Sequence, residues 1–161
     1  MIPKRIVLDT NVCLDLFVFC DPRWQILLAA LRDGSVEAVT RDDCRKEWQI
    51  VLGYAHLKLD VDAQQHCTDQ FDKLIHCLPV HAPLASVSPL PQCRDRDDQK
   101  FLELARDAGA SVLITKDKAL LKLAGKTRRA GLFSILLPQQ WQQEVSKEMA
   151  VIYKSNSAAT S

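Results

Sequence analysis

The sequence predicts an α/β fold: a three-layer α/β/α sandwich around a central, mainly parallel sheet. Two observations carry that expectation. Short continuous apolar runs at Ile6-Val7-Leu8, Val36 to Thr40, Val112 to Thr115 and Leu132 to Leu137 read as strands buried on both faces. Between them stand segments with apolar residues three and four apart, the mark of amphipathic helices, so the two types alternate along the chain. The 161 residues, 47% of them hydrophobic, suffice for one core-bearing domain. It is expected over residues 1–154, with a flexible polar tail over 155–161.

The strand at Ile6-Val7-Leu8 is stopped by Asp9. Apolar spacing from Val12 to Phe19 and from Trp24 to Leu31 predicts two helices, the second opened by Asp21-Pro22 and closed by Asp33-Gly34. The strand at Val36 to Thr40 leads to a helix over about residues 42–54, where Cys44, Trp48, Val51, Leu52 and Ala55 share one face. A more polar helix is expected from Asp62 to about His76. Leu78 to Gln92 holds four of the seven prolines and reads as an extended connector with room for a short strand. A helix over about 98–108 turns Phe101, Leu102, Ala105 and Ala108 inward. The strand at Val112 to Thr115 is again stopped by an acid, Asp117, and a short helix follows from Lys118 to Leu123. Pro138 opens the last helix, through Trp141 and Val145.

Composition narrows the function. With 21 basic and 20 acidic residues the formal charge is +1, which excludes a wholesale basic coat but leaves room for a local patch. No apolar run approaches the roughly 20 residues that span a bilayer. The few residues before Asp9 are too short for a secretory signal, so a cytoplasmic, non-membrane protein is expected. The cysteines at 13, 20, 44, 67, 77 and 93 are irregularly spaced without a C-x-x-C pair. Free thiols in a reducing compartment suit them better than disulfides or zinc, and the four histidines add no zinc spacing.

The acids carry the chemistry. Asp9 and Asp117 each follow a predicted strand, and parallel strands would bring both carboxylates to one rim of the sheet, where ligands bind in such folds. Either could equally be a helix cap. Two unpaired anions there would raise each other's pKa, a conflict that a divalent cation removes. Glu47 lies at the edge of an inward helix stripe with no basic residue four positions on, so it is expected to meet a cation or a hydrogen-bond network. The run Arg94-Asp95-Arg96-Asp97-Asp98 precedes a helix, where acids are favoured by the dipole. Oxygen ligands without His or Cys suit Mg²⁺ or Mn²⁺, and such clusters hydrolyse phosphodiesters.

Four segments resemble the PIN domain family: Arg5-Ile6-Val7-Leu8-Asp9-Thr10-Asn11-Val12, the helix bearing Glu47, Cys93 to Leu102, and Val112 to Leu121. The resemblance covers residues 4 to 140. It implies an α/β/α fold and a metal-dependent ribonuclease, most similar to the toxin components of bacterial toxin–antitoxin pairs. It implies Asp9, Glu47, Asp98 and Asp117 as catalytic and metal-binding residues, using one or two Mg²⁺ or Mn²⁺ ions. Asn11 and Thr115 match the supporting polar residues. Asp98 fits the family's helix register best, with Asp95 as second choice. The resemblance also implies homodimers and a small antitoxin partner.

Lys116 to Arg129 holds six basic residues against Asp117 alone, a local +5 that leaves the rest of the chain at −4. Lys116, Lys118, Arg128 and Arg129 are therefore the expected RNA-binding group. Exposed aromatics for base stacking are not evident, since Trp24, Trp48 and Trp141 all fall on apolar helix faces. Two alternatives stay open. One is a non-catalytic RNA-binding or protein-interaction module on the same fold. The other is a haloacid-dehalogenase-like phosphohydrolase, disfavoured because position 11 is Asn where that chemistry wants a second acid.

Overall fold

A computed structural model of the chain describes residues 2–79 and 88–159. Among the described residues five strands form one all-parallel sheet: β1 (Lys4–Leu8), β2 (Val36–Thr40), β3 (Ile75–Cys77), β4 (Val112–Ile114) and β5 (Ser134–Leu136). Their order is β3-β2-β1-β4-β5, with Ile6 opposite Ala38 on one side and Val112 on the other. Successive strand residues point to opposite faces, so Ile6, Leu8, Val112 and Ile114 enter one core while Val7, Leu113 and Ile135 enter a second.

The first core is closed by α1 (Thr10–Phe17), α2 (Gln25–Asp33), α4 (Val61–Leu74) and the start of α8 (Pro138–Ala158). The second is closed by α5 (Gln99–Asp107) and α6 (Lys118–Leu121), while α7 (Ala124–Arg129) packs on β5. Helix α3 (Asp42–Leu52) serves both, sending Trp48 and Leu52 to the first core and Cys44 to the second. This is the sandwich that the alternating pattern predicts. All three tryptophans are buried, as their apolar helix faces require. Trp48 stacks on Phe71 at 5.2 Å, and Phe17 meets both edge-on, at 6.1 and 6.2 Å. Such pairs add about 0.5–1.5 kcal/mol each beyond burial, and they lock α1, α3 and α4 together.

Several boundaries differ from the sequence expectation. The helix expected to His76 ends at Leu74, because Ile75 turns to extended backbone, pairs with Ala38 and buries its side chain against the sheet. The third strand is therefore Ile75–Cys77 and not a piece of the proline-rich connector. Residues 80–87 of that connector lie outside the described residues, and 78–79 and 88–92 carry no strand. Helix α1 starts at Thr10, capped by Asp9, and α3 stops at Leu52, short of Tyr54. The basic stretch forms two short helices, α6 and α7, in place of one. Helix α8 runs on to Ala158, through residues assigned to the polar tail. There Ser155 and Ser157 donate their hydroxyls to the carbonyls of Val151 and Tyr153 one turn back, which keeps polar side chains compatible with the helix. Among the described residues no helix is long and apolar enough to cross a membrane.

The topology also fixes where a ligand can bind. From β1 the chain builds outward to β2 and β3, then returns to the other side of β1 as β4. Strand order reverses between β1 and β4, and a crevice opens past their carboxyl ends.

Candidate functional site

Asp9 is the first residue past β1, and its amide donates to Ile114 O at 3.0 Å, so the sheet itself fixes its backbone. The residue is 4% exposed, and its side chain accepts from Thr10 N and Thr115 Oγ1, both at 2.7 Å. Thr115, fully buried just past β4, also accepts from Asp117 N at 2.9 Å. One hydroxyl thus ties the two acid-bearing strand ends together. The Asp117 carboxylate caps α6, accepting from Ala119 N at 2.7 Å. The capping and functional readings of Asp9 and Asp117 are therefore compatible, because a capping carboxylate oxygen retains lone pairs for a further partner.

Asp98 ends the 3₁₀ turn Arg96–Asp98 that leads into α5. Its Oδ2 is buried and has no hydrogen-bond partner within the described residues. Burial, then the charges of Asp9 and Asp117, push its pKa up to about 7. Burial likewise lifts Asp9 to about 6 against the pull of its two hydrogen bonds, with Glu47 and Asp117 adding to the rise. Asp95 is exposed and turned back on its own turn, accepting from Asp97 N at 3.0 Å. It is Asp98, not Asp95, that joins the other acids.

Glu47 projects from α3. Its Oε1 accepts from Lys100 Nζ at 2.9 Å and its Oε2 from the Thr10 hydroxyl. Lys100 also donates to Asp97 O. Burial works against the Lys100 charge, but the Glu47 carboxylate outweighs it and the pKa is raised. The cation that Glu47 lacks on its own helix is therefore supplied by α5.

These groups line a crevice of about 290 Å³, walled by Asp9, Thr10, Asn11, Glu47, Asp98 and Asp117 together with Leu14, Val51, Tyr54 and His56. None of the four expected RNA-binding residues lines it. Lys116 Nζ is held by Asp15 at 2.7 Å, and Asp15 also accepts from Trp24 Nε1 at 3.0 Å, so this lysine anchors α1 to the end of β4. Lys118, Arg128 and Arg129 are exposed. Sequence reasoning missed Thr10, Lys100, Tyr54 and His56. The first two are partners of Glu47 from other elements, a relation no local spacing records. Tyr54 falls within the helix expected over about 42–54, and His56, just past it, carries no spacing signal.

The four acids bring carboxylate oxygen to the crevice, the chemistry of a hard divalent cation, with the Asn11 amide and the His56 imidazole also on its walls. The orphaned Asp98 Oδ2, beside two further acids that resist charging it, fits such an ion. Among the described residues no group of three or more His, Cys, Asp or Glu is arranged so that it could hold a metal ion. Glu47 is already engaged by Lys100 and Thr10.

Fold and crevice define a parallel α/β/α domain with a carboxylate-lined site at the switch point of its sheet. The chain belongs to the PIN domain family, whose model matches residues 5–119, from β1 into α6 and across all four acids. Nuclease-type chemistry is the general activity of this family, and its nucleases generally use divalent metal ions. No curated protein is similar enough to the chain to match it.

Proposed function

We propose that the protein is an endoribonuclease that hydrolyses RNA phosphodiester bonds with Mg²⁺ or Mn²⁺. The observation that carries this reading is Asp98, which lines the same crevice as Asp9 and Asp117 and whose buried Oδ2 has no hydrogen-bond partner among the described residues. A binding module gains nothing from setting the Asp117 charge beside two carboxyl groups whose pKa values it raises, whereas hydrolytic sites are built this way. Asp9, Asp98 and Asp117 would hold the ion, with Glu47 beside them. A divalent ion held there supplies an activated water and neutralises charge on the in-line transition state.

The remaining roles belong to the chain itself. Thr115 orients Asp9 and Asp117 through one hydroxyl. Lys100 and Thr10 hold Glu47 in place. Asn11 offers the crevice an amide that can donate to a phosphate oxygen. Lys118, Arg128 and Arg129 would track the RNA backbone outside it. We further infer a toxin role, with a small antitoxin as silencing partner and a homodimer as the active form. What supports these is the likeness of the four motifs to that branch of the family.

The test is cleavage of single-stranded RNA with Mn²⁺, comparing wild type with Asp9→Asn. The variant keeps an oxygen to cap Thr10 N but loses the charge. Wild type is expected to cut and the variant to be slower by about 100-fold or more, with EDTA abolishing both rates. Equal rates in the two proteins would overturn the assignment.

A further inference from the structure

The crevice carries a second chemistry that phosphodiester hydrolysis alone does not require. Beyond α3 the chain makes a 3₁₀ turn, Ala55–Leu57, which presents Tyr54 and His56 to the same crevice as the acids. The turn is closed by its own backbone. Gly53 and Tyr54 donate to Ile50 O and Val51 O at 3.1 and 3.0 Å, and Leu57 and Lys58 donate to Tyr54 O and Ala55 O, both at 3.1 Å. The two rings lie 5.9 Å apart with a 39° tilt, and Tyr54 is 48% exposed. Leu14 and Val51 add apolar surface to the crevice. An aromatic pair held on a hydrogen-bonded turn, exposed and next to carboxylates, has the form of a stacking surface rather than of core packing.

A nucleotide has the matching duality of an anionic phosphate and a flat aromatic base. We propose that Tyr54, propped by His56, is a stacking platform for one unpaired nucleobase of a single-stranded RNA. These residues then determine substrate specificity in the hydrolysis proposed above, on which the inference rests. Proteins read single-stranded RNA by stacking splayed bases on Tyr and His, and a base locked in a duplex cannot reach such a platform. A crevice of about 290 Å³ is at the small end of ligand-site volumes and suits one extruded base. The consequence is a preference for unpaired RNA over duplex of the same sequence.

The test uses the full chain carrying Asp9→Asn, in which hydrolysis is silenced and one repelling charge removed. Affinity for a nine-nucleotide single-stranded RNA is measured by fluorescence anisotropy, alongside the same oligomer with one abasic position moved along its length. Adding Tyr54→Ala is expected to weaken binding about ten-fold, or about 1.4 kcal/mol, while Tyr54→Phe leaves it unchanged. At one position the abasic oligomer should lose the same factor, and Tyr54→Ala should then cost nothing further. Circular dichroism of each variant confirms the fold. Unchanged affinity in Tyr54→Ala, or an equal loss on intact and abasic RNA, would overturn the platform. The two readings fail separately. Wild type that never cuts RNA, with Tyr54-dependent binding intact, removes the nuclease and keeps the platform. Wild type that cuts with KM indifferent to Tyr54→Ala removes the platform and keeps the nuclease.

Discussion

Asp9 is 4% exposed and its carboxylate sits between two hydrogen-bond donors, yet its pKa stands at about 6 against an ordinary 3.8. Burial is the main cause, so the native state holds a proton that the unfolded chain has already released. Stability from this group is complete below about pH 4 and is lost as pH rises through about 6. Asp98, at about 7, acts in the same direction. In chelator, Asp9→Asn should therefore melt higher than wild type at pH 8, by up to about 3 kcal/mol, and show no such advantage at pH 4. Thermal melts at the two pH values check this, and an advantage independent of pH would refute the stated cause. Legibility at this scale was uneven. Asp9 and Asp117 could be found because each ends an apolar run. Asp98 was preferred to Asp95 only through the family's helix register, because the turn that buries an Asp98 oxygen and exposes Asp95 leaves no mark in composition. Lys100 left no trace, because its partner Glu47 is 53 positions away.

At the scale of elements, the strands were legible wherever burial on both faces made an unbroken apolar run. Only β3 escaped, since Ile75-His76-Cys77 has one buried residue and continues the spacing of α4. Tertiary pairing with β2 decides there, and local pattern cannot see it. Helix α7 escaped for a different reason: Gly125 and the basic residues around it give no amphipathic stripe. Its exposed end carries Arg128 and Arg129, with the Arg129 guanidinium folded over Gly125, 3.2 Å from where a Cβ would stand. If these two track phosphates, each releases counterions on binding. Replacing both with Ala should lower RNA affinity and reduce the slope of log affinity against log salt by up to about 1.4 for a single strand. An unaltered slope would place the RNA path away from α7.

The whole molecule joins these pieces through one seam. Neighbouring strands β1 and β4 come from opposite ends of the fold's winding order, and the site lies across their junction. The Asp9 amide extends the β1–β4 ladder to Ile114 O, and the Thr115 amide extends the β4–β5 ladder to Leu136 O at 3.0 Å. The side chains of both residues are bonded to each other. Opening the site therefore means parting central strands. The amides of Asp9 and Thr115 should exchange hydrogen only through global unfolding, and RNA cleavage should disappear at the same denaturant midpoint as the circular dichroism signal. Cleavage lost at a lower midpoint would show that the crevice loosens on its own. Because a shared hydroxyl wires the site into the central strands, denaturing stress should remove the site only together with the fold. Partial damage to a population would then thin the ranks of competent molecules and leave each survivor at full strength.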